Sequence, residues 1–319
     1  MNMDVLLAAL VEQKGSDLFI TVDAPPTLKV NGRLVSLGPA PLDKTTALAL
    51  IRESLDETHF ERFLHTREAN YAIQRGSLGR FRVSAFWQQD MPGMVLRRIE
   101  TRIPTFNELV LPPILQEVAM AKRGLVLFVG ATGAGKSTTQ AAMIGFRNQH
   151  GDGHILTVED PVEFVHQHDR CLVTQREVGI DTASFDVALK NSLRQAPDVI
   201  LIGEIRSQET MEFAIQFAET GHLCLATLHA NNANQALDRI LHLVPQEKHR
   251  QFLFDLSFNL RAIVAQQLLP SAHGQRRVAA FEILLNTPLV TDIIRKGEMH
   301  RLKEVMTKSG ELGMQTFDQ

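Results

Sequence analysis

Cysteine is nearly absent from the 319 residues, as are tryptophan and tyrosine: the chain has two, one and one. Cys171 and Cys224 lie far apart with no C-x-x-C pairing, so neither a disulfide framework nor a zinc site is indicated, which fits a reducing compartment. Long apolar runs are missing too. Stretches such as Leu125 to Val129 and Val199 to Ile202 fall far short of the about 20 residues a spanning helix needs, and the N-terminus has no cationic n-region. A soluble cytosolic protein is expected. Charge of one sign is also lacking: the formal net charge is −3, with acids and bases interspersed. That offers no electrostatic footprint for wrapping duplex nucleic acid, so no nucleic-acid partner is expected. Internal repeats and low-complexity tracts are absent. The length allows two domains of about 100–200 residues, or one large α/β domain, and either buries its own core.

What is present begins with Val5, Leu6, Ala9 and Leu10 at helical spacing, then a break at Gly15-Ser16-Asp17 before the strand-like Leu18 to Val22. Asn31-Gly32 stands between the extended runs Thr27 to Val30 and Arg33 to Val35, a strong hairpin signal. Helices are expected over Asp43 to Leu55, with Asp43 as N-cap, and over Asp56 to Leu64. Strands follow at Ala69 to Gln74, Gly79 to Phe86 and Met94 to Arg98, giving a small α+β module over 1–100. Three prolines (Pro104, Pro112 and Pro113) without a strong period make Thr101 to Pro113 read as a linker, set at 101–112. From 113 to 319, a helix (Ile114 to Ala121) precedes strand runs at Leu125 to Val129, His154 to Val158, Asp198 to Ile202 and Leu223 to Leu228 that alternate with helices. Such alternation predicts a mostly parallel sheet with helices on both faces.

The most informative stretch is Gly130-Ala131-Thr132-Gly133-Ala134-Gly135-Lys136-Ser137-Thr138, which follows the first of these strands and precedes a helical run from Thr139 to Arg147. It is G-x-x-x-x-G-K-[ST] in a strand-loop-helix setting, where backbone N–H groups turn inward around phosphate oxygens and the helix dipole faces the same anion. ATP is the expected ligand, with Lys136 reaching the β/γ-phosphates and Ser137 the Mg²⁺.

Acids follow the next buried strands. Glu159, Asp160 and Glu163 come after Ile155 to Val158, and Glu204 after Val199 to Gly203. Ligands of open α/β sheets bind at such strand ends, so these carboxylates are either solvated loop acids or the groups that hold Mg²⁺ and polarise water. His222 and His229 flank Leu223 to Leu228, either as structural histidines or on the carboxyl side of the sheet as γ-phosphate sensors. Arg80, Arg82, Arg97 and Arg98 are either a solvated strand face or arginines donated to a phosphate across a domain or subunit boundary.

Together these residues resemble one family, the PilT-type retraction ATPases of type IV pili (PilT and PilU), within the larger secretion ATPase superfamily. The likeness rests on the Gly130 to Thr138 loop, the acidic box Ile155-Leu-Thr-Val-Glu-Asp-Pro-Val-Glu-Phe164, the atypical Walker B Val199-Ile-Leu-Ile-Gly-Glu-Ile-Arg206 and the histidine box Thr220 to Ala233. Gly15-Ser-Asp-Leu18 and Ile293-Ile-Arg-Lys-Gly297 extend it over nearly the whole chain. The resemblance implies a PAS-like N-terminal domain, a RecA-like P-loop domain and a homo-hexameric ring whose subunits share the ATP site. It further implies Glu163 as the catalytic glutamate, Glu204 serving Mg²⁺ and water, His229 as a γ-phosphate sensor, and Arg82 and Arg97 reaching the nucleotide. Implied partners are a paralogous retraction ATPase ring and an inner-membrane pilus platform protein, with the chain cytoplasmic and peripheral at that membrane. The implied function is ATP-driven pilus retraction and twitching motility.

Departures from the pattern sharpen the expectation. Lys14-Gly-Ser-Asp-Leu-Phe19 stands where the principal retraction motor reads Gly-Gly-Ser-Asp-Leu-His, and Gly203-Glu-Ile-Arg206 where it reads Gly-Glu-Met-Arg; both point to the PilU branch. Ile293-Ile294-Arg295 keeps only part of an alanine-isoleucine-arginine signature. Family members continue past the stretch ending at Gln319, so a trimmed or disordered C-terminus is expected. The four-cysteine zinc module and longer N-terminal region of assembly motors are missing, and a DNA-translocating relative would carry a basic face. A competing reading is an accessory nucleotide-gated ring that docks on a partner motor, with its own hydrolysis dispensable.

Overall fold

The computed structural model describes residues 2–99, 102–271 and 277–319. The chain divides into two compact units, Met1–Thr101 and Arg102–Gln319. Glu100 and Thr101, where the expected first domain and linker meet, lie outside the described residues.

In the first unit, β1 (Asp17–Thr21), β2 (Thr27–Val30), β3 (Arg33–Ser36), β4 (Glu68–Gln74), β5 (Arg80–Gln88) and β6 (Met91–Arg98) form an antiparallel sheet of order β3-β2-β1-β6-β5-β4. The hairpin forms as expected: Val30 pairs with Arg33, and Asn31 and Gly32 both take positive φ, at 50° and 80°. That geometry matches the right-handed twist of the flanking strands. Helices Met3–Glu12, Lys44–Ser54 and Glu57–Thr66 bury Leu7, Leu10, Leu50 and Phe63 against Leu18, Ile20, Phe81 and Leu96 of the sheet. Asp43 caps the second helix by accepting from the Thr46 N–H at 2.7 Å.

The second unit is built on β7 (Gly124–Val129), β8 (Gly153–Glu159), β9 (Cys171–Glu177), β10 (Val199–Ile202), β11 (Leu223–Leu228), β12 (Leu260–Pro270) and β13 (Arg277–Leu285), in the order β13-β12-β7-β11-β10-β8-β9. All neighbours run parallel except β13, which pairs antiparallel with β12. Period-two alternation gives each face of the sheet its own core. Leu125, Leu127 and Val129 pack with residues of helices Gln208–Glu219, Ala233–His242 and His249–Asn259, whereas Val126 and Phe128 pack with Leu115, Val118, Met143 and Ile144. Burial on both sides explains the unbroken apolar run of β7.

Most of the stretch expected as a linker is built into this unit. Thr105 and Glu108 form a reciprocal capping box on the short helix Phe106–Leu109, and Phe106 and Leu111 are buried. The helix expected to begin at Thr139 starts three residues earlier, as Lys136–His150, with Gly135 as its N-cap at φ 88°. The first turn of that helix therefore belongs to the glycine loop itself.

Candidate functional site

Parallel strands bring the carboxyl ends of β7, β8, β10 and β11 to one edge of the sheet. The glycine loop leaves β7 there. At Gly130 a Cβ would lie 2.5 Å from the Gln266 carbonyl oxygen, and at Gly135 one would lie 2.7 Å from Gln266 Nε2. Both residues take left-handed φ, at 152° and 88°, so close approach and conformation together require glycine. Gln266, on β12, also accepts from Thr139 Oγ1 at 2.8 Å and thus ties the loop and the following helix to the sheet. Lys136 is 7% exposed and donates to the Gly130 and Ala131 carbonyls at 2.7 and 2.8 Å. Burial pulls its pKa below the usual lysine value, and the nearby Glu204 and Glu163 oppose that shift.

Those two acids arrive on different loops. The loop after β8 carries Glu163, and buried Glu177 steadies it by accepting from the Val162 N–H at 3.1 Å. Gly203 leads from β10 to Glu204 where a Cβ would come within 3.0 Å of Glu159 Cα, so the two strand ends meet closely. His229 follows β11, and its Nε2 lies 3.0 Å from Glu204 Oε1. The other oxygen, Oε2, accepts from Arg206 Nη2 and Nε at 2.6 and 2.7 Å, and Arg206 Nη1 is 3.9 Å from Asp160 Oδ2. A cavity of about 320 Å³ opens among these groups, lined by Thr132, Gly133, Lys136, Ser137, Glu163, Glu204, Arg206 and His229.

Two further titratable groups line the same cavity. Glu159 accepts from Thr157 Oγ1 at 2.6 Å and from Gln175 Nε2 at 3.4 Å, and burial pushes its carboxyl up to about 7. Burial pushes the His166 imidazole down to about 4. Gln140 accepts from Thr227 Oγ1 at 3.2 Å, while its buried Nε2 finds no partner among the described residues.

The structure thus brings together the Gly130 to Thr138 loop, Glu163, Glu204 and His229. Arg82 and Arg97 lie in the first unit, directly opposite each other on β5 and β6 and on the face away from buried Phe81, Val83 and Leu96. Arg97 Nε donates to Asp17 Oδ1 at 2.8 Å, and Asp17 is 4% exposed. His222 does not join the carboxyl edge: it precedes β11, and its Nδ1 sits 3.1 Å from Thr220 Oγ1 and 3.2 Å from the Phe217 carbonyl. A strand has one carboxyl end, so the histidines flanking β11 lie at opposite edges of the sheet. Arg206 and Gln266 were not singled out from the sequence. Arg206 stands inside the Walker B box, whereas Gln266 lies 127 residues from its partner Thr139 and carries no local signal.

The cradle fits a nucleoside triphosphate with Mg²⁺. Its backbone is folded around a lysine, and Ser137 and Glu204, which line the cavity, carry oxygens of the kind Mg²⁺ takes. Among the described residues no group of three or more histidine, cysteine, aspartate or glutamate side chains is arranged to hold a metal by itself. A Mg²⁺ site completed by phosphate and water needs no such protein cage.

A model of the Type II/IV secretion system protein family matches residues 64–311. The type IV pilus ATPase PilU of Pseudomonas aeruginosa is 60% identical over 319 residues, all of this chain and 84% of that one. The type IV pilus retractation ATPase PilT of the same organism is 39% identical over 318 residues, covering 100% and 92% of the two chains. A crystal structure of the pilus retraction motor PilT with bound ADP superposes with a TM-score of 0.91 at 37% identity, over 96% of this chain and 89% of that one. With a relative at this level matching all of this chain and the same fold over 96% of it, the chain belongs to the type II/IV secretion system protein family, on the branch of the PilT and PilU type IV pilus ATPases.

Proposed function

We propose that the chain is a hexameric ATP-hydrolysing motor of the type IV pilus machinery that powers or assists pilus retraction, and through it twitching motility. In this reading the second unit is a RecA-like P-loop domain and the first a PAS-like domain. The observation that carries it is the convergence of Lys136, Ser137, Glu163, Glu204 and His229 on one cavity at the carboxyl edge of a parallel sheet. Lys136 leaves its loop carbonyls for the β/γ-phosphate oxygens, and the backbone N–H groups of 130–138 hold the remaining phosphate charge. Ser137 and Glu204 would hold Mg²⁺, which when bound neutralises charge developing on the phosphates. Glu163 accepts a proton from the attacking water, and His229 reads the γ-phosphate. Arg82 and Arg97 serve the nucleotide across a subunit boundary, which makes the ring the active species.

The proposed partners are further copies of the chain, a paralogous retraction ATPase ring and the inner-membrane platform protein. The chain would act in the cytoplasm, peripheral to that membrane; among the described residues no helix is long and apolar enough to cross one. The identity to PilU exceeds that to PilT, 60% against 39%.

Two measurements test the proposal. Lys136→Ala is expected to lower ATP turnover by at least about 10²-fold, because the charge that tracks the transferring phosphoryl group is lost. Unchanged turnover would sink the P-loop assignment. Deleting the gene is expected to leave cells piliated but unable to twitch; bald cells would point to pilus assembly instead.

A further inference from the structure

Both carboxylate oxygens of Glu204 are occupied by cations or their equivalents. Oε1 faces His229 at 3.0 Å, and Oε2 takes two hydrogen bonds from Arg206 at 2.6 and 2.7 Å. A carboxylate so engaged has no oxygen free of a partner, so Mg²⁺ or its water shell must compete with them for Glu204. Arg206 is not buried in that position: its side chain is 62% exposed, lines the nucleotide cavity and reaches a second anion, Asp160, at 3.9 Å. The guanidinium is therefore a solvent-facing cation held by two acids of the site.

Resting on the nucleotide reading above, we propose that Arg206 is a catalytic residue acting within its own subunit, latched on Glu204 in this state and transferred to the γ-phosphate when Mg²⁺ and ATP bind. The exchange follows from charge. With a divalent cation held by Glu204, the guanidinium would lose its acceptor, and a γ-phosphate would offer its planar fork a new anion. No bond forms or breaks at Arg206; it trades one anion for another. The loss of the γ-phosphate on hydrolysis returns it to Glu204.

The test uses the full chain with ADP and a non-hydrolysable ATP analogue as competing probes against a fluorescent nucleotide. Arg206→Ala is expected to bind ADP as wild type does, to lose about tenfold in analogue affinity and to lose about 10²-fold in turnover at saturating Mg²⁺. Arg206→Lys, which keeps the charge without the fork, is expected to recover part of the analogue affinity. An unchanged ratio of analogue to ADP affinity would overturn the proposal. So would turnover restored by raising Mg²⁺ alone, since Arg206 would then be a fixed neutraliser of Glu204. If neither variant folded, the side chain would be structural and the proposal wrong. Failure of the nucleotide reading itself looks different: wild type would then show no nucleotide binding or hydrolysis that Lys136→Ala abolishes.

Discussion

Glu163 and Glu204 approach Lys136 from separate loops, and both counter the fall in its pKa, yet the structure gives them different neighbours. Glu204 is held by His229 and Arg206, a setting suited to exchanging cations rather than to accepting a proton. Glu163→Gln is therefore expected to retain nucleotide binding while turnover falls by at least about 10²-fold, since an amide keeps the shape but accepts no proton. Glu204→Gln is expected to raise the Mg²⁺ concentration needed for half-maximal turnover. A Mg²⁺ titration of both variants decides, and a Glu204 variant dead at saturating Mg²⁺ beside an active Glu163 variant would reverse the two roles. A second prediction concerns pH. Burial raises the Glu159 pKa from 4.5 to about 7, so the native state binds the extra proton and stability falls as pH rises through that window. Burial lowers the His166 pKa from 6.5 to about 4, so stability is present above 6.5 and is lost as pH falls towards 4. The two slopes oppose each other between 4.5 and 6.5. Glu159→Gln removes one of them, and its melting temperature relative to wild type is expected to climb between pH 4.5 and 7. A pH-independent difference would show that the carboxyl is not held neutral by burial.

Elements were legible where the signal was local. Asn31-Gly32 fixed a two-residue hairpin, Asp43 capped its helix, and β7, β10 and β11 stood out because burial on both faces demands unbroken apolar runs. The glycine loop, Glu204 and His229 were legible for the same reason, each coming within two residues of the end of such a strand. Edge strands were harder. In β9 the polar Thr174, Gln175 and Arg176 and the exposed Leu172 hide a strand that pairing with β8 defines. The helix at Phe106–Leu109 has a sequence-readable capping box, but four residues carry no period. Lys136 joins a helix that its glycine neighbours disfavour, because Gln266 from a distant strand shapes the loop. Long-range polar ties of this kind also hold elements together. Asn148, 6% exposed near the end of helix Lys136–His150, donates to the Gln167 carbonyl at 2.7 Å and accepts from the N–H groups of Asp169 and Cys171 at 3.3 and 3.2 Å. Asn148→Ala leaves these groups unpaired beside β9 and is expected to cost about 1–3 kcal/mol in urea unfolding with little change in slope. A variant as stable as wild type would mean that water replaces the amide without loss.

At the scale of the whole molecule, the question is whether the proposed ring is required for chemistry. Arg82 and Arg97 belong to the first unit and the P-loop to the second. Arg97 is a poor choice for the decisive variant, since removing it leaves the carboxylate of Asp17 buried without its guanidinium and mixes stability with chemistry. Arg82 faces the same side of the sheet from the neighbouring strand and leaves that ion pair intact. Arg82→Ala and Lys136→Ala are each expected to be inactive alone. In a mixed ring an interface works only where one subunit brings an intact Lys136 and its neighbour an intact Arg82. Random equal mixing makes about one interface in four of that kind, so up to about a quarter of wild-type turnover is expected if the interfaces act independently. Subunit exchange is verified separately with labelled chains, and wild-type specific activity is expected to fall on dilution as the ring dissociates. A mixture that stays inactive despite exchange, with specific activity flat down to monomer concentrations, would assign Arg82 and Arg97 to a solvated strand face and leave hydrolysis to a single subunit.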